Sequence, residues 1–321
     1  MVLKESLERV FKKGRFGSIL KGIIGFILIV LILQTINVPR LIKTLTEVDV
    51  KFLILAILAY IIQNLILSFR LFKCMNFIGY RISWAEIFWL HLFGMLWSDV
   101  TPGQAGYLIL VYPLSKSRKI PVSESLSCLG TITSLELIVK AATGAIGLAF
   151  LITQISDPTF IFLGLMGIIA ILIMSFIFLM LCWTDIKILS RIVKRFPLFG
   201  MKLLDLTEKF KSASQALKRK AYFIIYISLI GWLLRGFEWT FLGYACKIPL
   251  SFIIFLMLHP LLTAVRFVPL TPAGLGMFEG ITILGFSLFG VPAENAFLFS
   301  LFDRVDNIVV DIFAVKEFKR M

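Results

Sequence analysis

Ten ionisable residues lie inside otherwise apolar stretches of the sequence, and their chemistry has to be explained first. They are Glu136, Lys140, Arg235, Glu238, Arg266, Glu279, Asp303, Arg304, Asp306 and Asp311. A charge surrounded by hydrocarbon is costly, so it usually has a partner or a function. Glu136 and Lys140 are four residues apart, a spacing that permits neutralisation on one helix. Arg235 and Glu238, three apart, permit the same, so each pair is open to two interpretations: a local ion pair or part of a binding site.

Arg266, Glu279 and Arg304 have no such local partner, which predicts a charged network between the segments that carry them. Glu279 or Asp306 could neutralise an arginine, and so could a lipid phosphate, because a guanidinium binds phosphate oxygens bidentately. We expect Arg266 to depend mainly on a ligand, and Arg304 on both a ligand and nearby carboxylates. Asp311 is expected to be interfacial.

Two breaks in the apolar sequence share the pattern Thr-Pro-small-x-x-Gly, at residues 101–106 and 271–276. After each Thr-Pro a half-helix is expected to begin, and its free N–H groups and positive end attract an anion. The glycines could let a ligand approach the backbone, or they could serve tight helix packing. One of the two histidines, His91 and His259, precedes each break, and each could relay protons or simply pack in the interior.

Together these features predict a site that binds the headgroup of a membrane lipid. Its predicted residues are Thr101, Pro102, Gly103, Gly106, Glu136, Arg235, Arg266, Thr271, Pro272, Gly274, Gly276, Glu279 and Arg304.

The composition indicates the elements that must position these residues. Apolar residues make up 59% of the 321 residues and charged residues 16%, and the mean hydropathy is +0.94. Apolar blocks at 19–36, 52–69, 160–183, 221–244 and 296–314 approach the roughly 20 residues that cross a hydrocarbon core as a helix. These properties predict an all-α polytopic membrane protein. The four cysteines are scattered singly, which favours packing roles over disulfide pairing.

Two apolar segments are too short and too interrupted to span simply, which predicts re-entrant helical hairpins at 84–114 and 251–290. With six full transmembrane helices, the hairpins give a first repeat at 18–155 and a second at 156–315 in one integral membrane domain. The charge distribution makes the second repeat inverted relative to the first. Chance similarity of the two breaks is the alternative, since Thr-Pro and Gly commonly end helices.

The net charge of +14 is concentrated in stretches 4–15, 70–81, 116–119, 187–220 and 316–320. This distribution follows the positive-inside rule and argues against a nucleic-acid partner. It places both termini in the cytoplasm, with an amphipathic segment at 1–17 and a tail at 316–321. The basic loop 185–220 is expected to hold an amphipathic helix on anionic lipid, or to be a solvated connector.

At these motifs the chain resembles the lysylphosphatidylglycerol synthase transmembrane region, or flippase-like, family. The matching positions are Asp99, Pro102, Gly103, Ala105 and Gly106 in a first signature, Glu136 in an acid–arginine pair, Pro272, Gly274, Leu275, Gly276 and Glu279 in a second signature, and Arg304. Three positions depart from the family pattern: Gln104 replaces an arginine, Tyr107 a glutamate and Leu137 an arginine. The resemblance implies a membrane fold that handles lipids, while the departures imply a ligand other than the aminoacyl lipid of the best-known member.

The predicted function is to bind or translocate an anionic phospholipid or a polyprenyl-phosphate-linked lipid across the cytoplasmic membrane. No cofactor, metal or catalytic residue is expected, and no phosphate-binding loop for ATP occurs. The alternative is a membrane glycosyl- or phospho-transferase that acts on a lipid-linked substrate with Asp303 and Asp306 as its acidic pair. A scaffold without transport would explain the fold but not the buried charges. The sequence leaves open which lipid is bound, the driving force and the oligomeric state.

Overall fold

A computed structural model describes residues 20–155, 157–183, 200–272 and 274–318. The predicted amphipathic segment 1–17, most of the basic loop before residue 200 and the last three residues of the tail lie outside this part. Within it the chain folds into helices, and the only pairing of extended backbone is one isolated antiparallel bridge between Pro102 and Pro272. The all-α prediction is therefore confirmed for the described residues.

The helices follow one another with short connections. They are α1 (Leu20–Thr35), α2 (Val38–Thr46), α3 (Val50–Phe77), α4 (Trp84–Val100), a 3-10 helix (Ala105–Leu110), α5 (Val111–Arg118), α6 (Val122–Ile152), α7 (Pro158–Trp183), α8 (Gly200–Lys218), α9 (Ala221–Ala245), α10 (Phe252–Thr263) with a 3-10 extension (Ala264–Phe267), α11 (Met277–Ser287), α12 (Ala293–Asp311) and α13 (Phe313–Phe318).

Four helices in the described part, α3, α6, α7 and α9, are long and apolar enough to cross a membrane, so the protein is a multi-pass integral membrane protein. The predicted span at 19–36 is α1, which bends by 94° into α2 and makes a fifth candidate if the pair is counted as one span. The predicted sixth span, α12, includes Glu294, Asp303, Arg304, Asp306 and Asp311 among its 19 residues. Because of these charges α12 cannot be recognised as a span by composition.

The two predicted hairpins correspond to pairs of shorter helices. Helix α4 has 17 residues, or about 25 Å at 1.5 Å per residue, and α11 has 11, or about 16 Å. Both are shorter than a hydrocarbon core of about 30 Å. Helix α4 ends where Thr101 adopts an extended conformation, φ −110° and ψ 146°, as expected for a residue that precedes proline. The bridge between Pro102 and Pro272 brings the two similar loops into direct contact.

Close packing of α6 against α10 holds the second hairpin to the bundle. A Cβ atom added at Gly147 would lie 2.5 Å from the carbonyl oxygen of Met257, so a larger residue would push the helices apart. Helix α8, in the described part of the basic loop, also packs on the bundle, where it buries Ala213 and Leu217. It is thus more than a solvated connector.

Candidate functional site

A cavity of about 480 Å³ lies inside the bundle, beside the two loops. Its wall includes Pro102, Gly103 and Gln104 from the first loop and Pro269 from the second. Apolar side chains contribute much of the rest of the surface, among them Leu67, Met95, Leu108, Leu137, Val139, Met174, Phe178, Trp232 and Phe267. The volume lies within the range of small-molecule sites, and the apolar wall suits a ligand with hydrocarbon next to its polar group.

Four cationic side chains and one carboxylate also line this cavity: Arg70, Lys140, Arg235, Arg266 and Glu136. Arg70 donates to Glu136 Oε2 at 2.7 Å and to Ser228 Oγ at 2.5 Å. The Glu136 side chain retains 43% exposure and Arg70 only 3%. Glu136 is thus paired across helices, with α3, and not with Lys140 on its own helix.

The Lys140 ammonium has a different environment from the three arginines of the wall. It lies 4.6 Å from the centroid of the Phe267 ring, an arrangement in which the ring face attracts a cation. Within the described part of the chain, no hydrogen bond and no carboxylate within 4 Å reaches this ammonium. Among the described residues, Lys140 is therefore the cation of the wall without a carboxylate partner.

Arg235 pairs locally on α9, as its spacing from Glu238 permits. Its Nη1 lies 2.5 Å and 2.6 Å from the two Glu238 oxygens and 3.3 Å from Asn307 Oδ1. The guanidinium also lies 5.2 Å from the centroid of the Tyr60 ring. Arg235 faces the cavity with its charge already neutralised.

The two arginines without local partners each have a protein carboxylate. Arg266 donates to Asp303 Oδ2, and its guanidinium lies 3.7 Å from the centroid of the Phe278 ring. The other Asp303 oxygen accepts a hydrogen bond from Trp239 Nε1 at 2.8 Å. This corrects the expectation that a ligand is the main partner of Arg266. Asp303 was passed over for this role because it adjoins Arg304 in sequence.

Arg304 donates to Glu279 Oε1 at 2.9 Å, which joins α12 to α11. The other Glu279 oxygen accepts from the Gly276 N–H at 2.6 Å. The predicted network between the second hairpin and the last long helix is therefore present, and it consists of protein groups.

The two helix ends predicted to attract an anion are occupied by the chain itself. At the second break Glu279 reaches back to the first turn of its own helix, as an acid at this position commonly does. At the first break Thr101 Oγ1 accepts from the Gly106 N–H at 2.7 Å. Gly276, at φ +79°, has a packing role, because an added Cβ would lie 2.3 Å from Leu28 Cβ. One freed N–H group at each break thus has an acceptor within the chain, which the sequence argument did not consider.

Of the thirteen predicted site residues, five line the cavity: Pro102, Gly103, Glu136, Arg235 and Arg266. The other eight lie outside its wall: Thr101, Gly106, Thr271, Pro272, Gly274, Gly276, Glu279 and Arg304.

Arg70 is a wall residue that the sequence argument missed. Its position at the start of a basic stretch placed it in the cytoplasm, but α3 continues to Phe77 and buries it. Tyr60, Gln63, Asn64, Leu67 and Arg70 all line the cavity from α3, and their three- to four-residue spacing was the signal that could have identified this face.

His91 lies in a chain of neutral hydrogen bonds at the wall. Its Nδ1 lies 2.7 Å from the Tyr107 hydroxyl, and its Nε2 lies 3.1 Å from Asn64 Oδ1. Since the Asn64 oxygen can only accept, Nε2 carries the proton and the Tyr107 hydroxyl donates to Nδ1. Tyr107 thus replaces the glutamate of the family pattern with an uncharged donor.

The acidic pair of the alternative transferase has no access to the cavity. Asp303 is fully buried and engaged by Arg266 and Trp239, and Asp306 is 3% exposed. Neither lines the wall. Among the described residues no group of three or more His, Cys, Asp or Glu side chains is arranged to hold a metal ion.

Comparison with known proteins places the chain in a family. The profile described as lysylphosphatidylglycerol synthase TM region matches residues 18–313, so the chain belongs to that family. The chain is also similar to UPF0104 membrane protein MJ1595 of Methanocaldococcus jannaschii, with 26% identity over 314 residues and 90% of each chain covered. The family resemblance identified from the motifs is confirmed.

The Arg304–Glu279 pair predicts a loss of stability when one partner is removed. In Arg304→Gln the fully buried Glu279 carboxylate loses its counterion, and breaking a buried pair in this way typically costs about 3–5 kcal/mol. We expect a clearly lower melting temperature in lipid-free detergent. Adding Glu279→Gln to this variant should restore part of the lost melting temperature, because the amide oxygen of the new side chain can still accept from the Gly276 N–H.

Arg118→Gln is the control for this prediction, because the Arg118–Glu86 pair leaves 47% of the arginine side chain exposed. An exposed pair contributes little, about 0–1 kcal/mol. Equal melting temperatures for Arg304→Gln and Arg118→Gln would contradict the assignment of Glu279 as the partner of Arg304.

Proposed function

We propose that this member of the lysylphosphatidylglycerol synthase TM region family binds a lipid with an anionic phosphate headgroup in the cavity and translocates it across the cell membrane without ATP. One observation carries the proposal: a largely apolar cavity has Lys140 on its wall with no carboxylate partner, beside arginines that are already paired. A phosphate would supply the missing counterion, and the apolar wall would accept the hydrocarbon of the lipid.

The two loops support translocation more than static binding. They carry the same Thr-Pro-small-x-x-Gly pattern and touch at Pro102 and Pro272, and the cavity wall includes Pro102 and Gly103 of the first motif and Pro269, two residues before the second motif. Irregular backbone inside a membrane protein is tolerated where it is covered by protein or faces a cavity. Interrupted segments at corresponding places of two halves commonly mark the site of a transporter.

We further propose that the chain is an inverted repeat, with residues 18–155 and 156–315 as its halves and both termini in the cytoplasm. The order of elements supports this. Helices α1 and α3, the hairpin of α4 and α5, and α6 are matched by α7 and α9, the hairpin of α10 and α11, and α12. In this arrangement α12 is the sixth span, and its pairs with Arg266 and Glu279 reduce the cost of its charges.

A dithionite flip assay tests the function directly. Liposomes of phosphatidylcholine with a trace of tail-labelled phosphatidylglycerol should lose fluorescence from the inner leaflet only when they contain the protein. Thr133→Trp, which places an indole in the cavity, should slow translocation about tenfold, the effect of 1.4 kcal/mol on a rate. Thr153→Trp is the control, because Thr153 is exposed at the end of α6.

Three outcomes would overturn the proposal. Equal rates for the two tryptophan variants would place transport elsewhere on the molecule. Product formation from a lipid-linked sugar, with no translocation, would favour the transferase. The absence of both, with no lipid retained on purification, would favour a scaffold.

Cysteine accessibility tests the orientation, and all four native cysteines are buried, which gives a low background. In intact cells a membrane-impermeant thiol reagent should label Thr159→Cys, which is exposed in the segment proposed to face outward. Ser117→Cys, exposed at the end of α5, should react only after the cells are opened. The reverse pattern would contradict the proposed topology.

A further inference from the structure

The charges around the cavity add up to a single unmatched positive charge, and this sum restricts the chemistry of the ligand. We propose that the cavity selects lipids whose headgroup carries one negative charge, as a phosphodiester does, and that Lys140 provides the matching positive charge. The inference rests on the proposed function and deepens it, because lipid binding alone does not require any particular headgroup charge.

The four arginines of the interior contribute no net charge. Arg70 is paired with Glu136, Arg235 with Glu238, Arg266 with Asp303 and Arg304 with Glu279. Each pair brings one positive and one negative charge together at hydrogen-bonding distance. In a medium of low dielectric constant such pairs act as neutral units towards a third group.

Four further acids are buried in the described part of the chain, and none of them lines the cavity: Asp99, Glu294, Asp306 and Asp311. Glu294 accepts from the Asn37 N–H, whereas each of the three aspartates has one carboxylate oxygen that is buried without a hydrogen-bond partner among the described residues. The other Asp311 oxygen accepts from the Tyr60 hydroxyl at 2.9 Å. An ionised carboxylate in such a place is costly, and a carboxylic acid that keeps its proton avoids the cost. None of these acids borders the cavity, so they do not enter the sum of the charges on its wall.

Lys140 differs from these acids in its surroundings. It lines the cavity, and its ammonium lies against the face of the Phe267 ring, which favours the charged form of the amine. Glu136, four residues away on the same helix, is engaged by Arg70. The cavity wall thus carries one positive charge, and a bound group with one negative charge makes the sum zero.

Other headgroups leave a charge unmatched. A phosphomonoester carries about −1.5 to −2 at pH 7, so it brings excess negative charge into the cavity. A zwitterionic headgroup places an ammonium near Lys140, where the carboxylate of Glu136 is already engaged by Arg70. Phosphatidylglycerol and a polyprenyl phosphosugar both contain a phosphodiester and an uncharged alcohol, so both satisfy the charge requirement.

A series of variants that changes the cavity charge one unit at a time tests the inference. Lys140→Met removes the unmatched charge, and Gln104→Arg adds a second one on the same wall. Lys73→Met and Gln154→Arg make the same changes in total charge outside the cavity.

Binding is measured at pH 7 in detergent by displacement of tail-labelled phosphatidylglycerol. The competitors have the same acyl chains and are phosphatidylglycerol, phosphatidic acid and phosphatidylethanolamine, and a polyprenyl phosphosugar is added as a fourth.

The wild type and both outside variants should prefer phosphatidylglycerol to phosphatidylethanolamine about tenfold, which corresponds to 1.4 kcal/mol. Lys140→Met should lose this preference and Lys140→Arg should retain it, which separates charge from misfolding. Gln104→Arg should shift the preference about tenfold towards phosphatidic acid. The ratio between phosphatidylglycerol and the polyprenyl phosphosugar identifies which source of the phosphodiester fits better.

Two results would overturn the inference, and they differ from the failure of the proposed function. If the lipids bind and are translocated but Lys140→Met keeps the wild-type order of headgroups, Lys140 does not set the charge of the site. If the order follows total protein charge, so that Lys73→Met behaves like Lys140→Met, selection does not occur in the cavity. If no lipid displaces the label from the wild type, both the inference and the proposed function fail.

Discussion

A charge in the interior of a membrane protein needs a counterion, and this requirement determines how the helices around the cavity are joined. The Arg70–Glu136 pair links α3 to α6, the Arg266–Asp303 pair links the end of α10 to α12, and the Arg304–Glu279 pair links α11 to α12. The paired residues are 66, 37 and 25 positions apart in sequence, and each pair joins two different helices. Because an unpaired partner would be left buried, each pair also favours one relative position of its helices. The charges that first suggested a ligand site therefore have a structural role as well.

The loops solve a related problem for the backbone. Each Thr-Pro break frees peptide groups that water would otherwise satisfy, and nearby side chains satisfy some of them instead. Glu279 accepts from Gly276, and Thr101 accepts from Gly106 while donating to the Trp97 carbonyl oxygen at 2.8 Å. With these acceptors in place the two loops lie against each other at Pro102 and Pro272.

Much of the fold could be predicted from the sequence, because long apolar blocks and short-range charge spacing report local structure. The helical class, the breaks at both Thr-Pro motifs and the Arg235–Glu238 pair all follow from neighbouring residues. Long-range partners could not be predicted in this way. A local pair with Lys140 was one of the two interpretations open for Glu136, whereas its partner is Arg70, 66 residues away. For the same reason Asp303 was not identified as the counterion of Arg266, and Lys140 was not identified as a cation without a carboxylate partner.

The central claim is that a lipid phosphate occupies the cavity beside Lys140. A structure determined by cryo-electron microscopy, with an antibody fragment bound and phosphatidylglycerol as the nanodisc lipid, would test it most directly. The account predicts headgroup density inside the cavity, with a phosphate oxygen about 3 Å from the Lys140 ammonium. Phosphate density only at the two bilayer surfaces, with the cavity wall in contact with water alone, would contradict it.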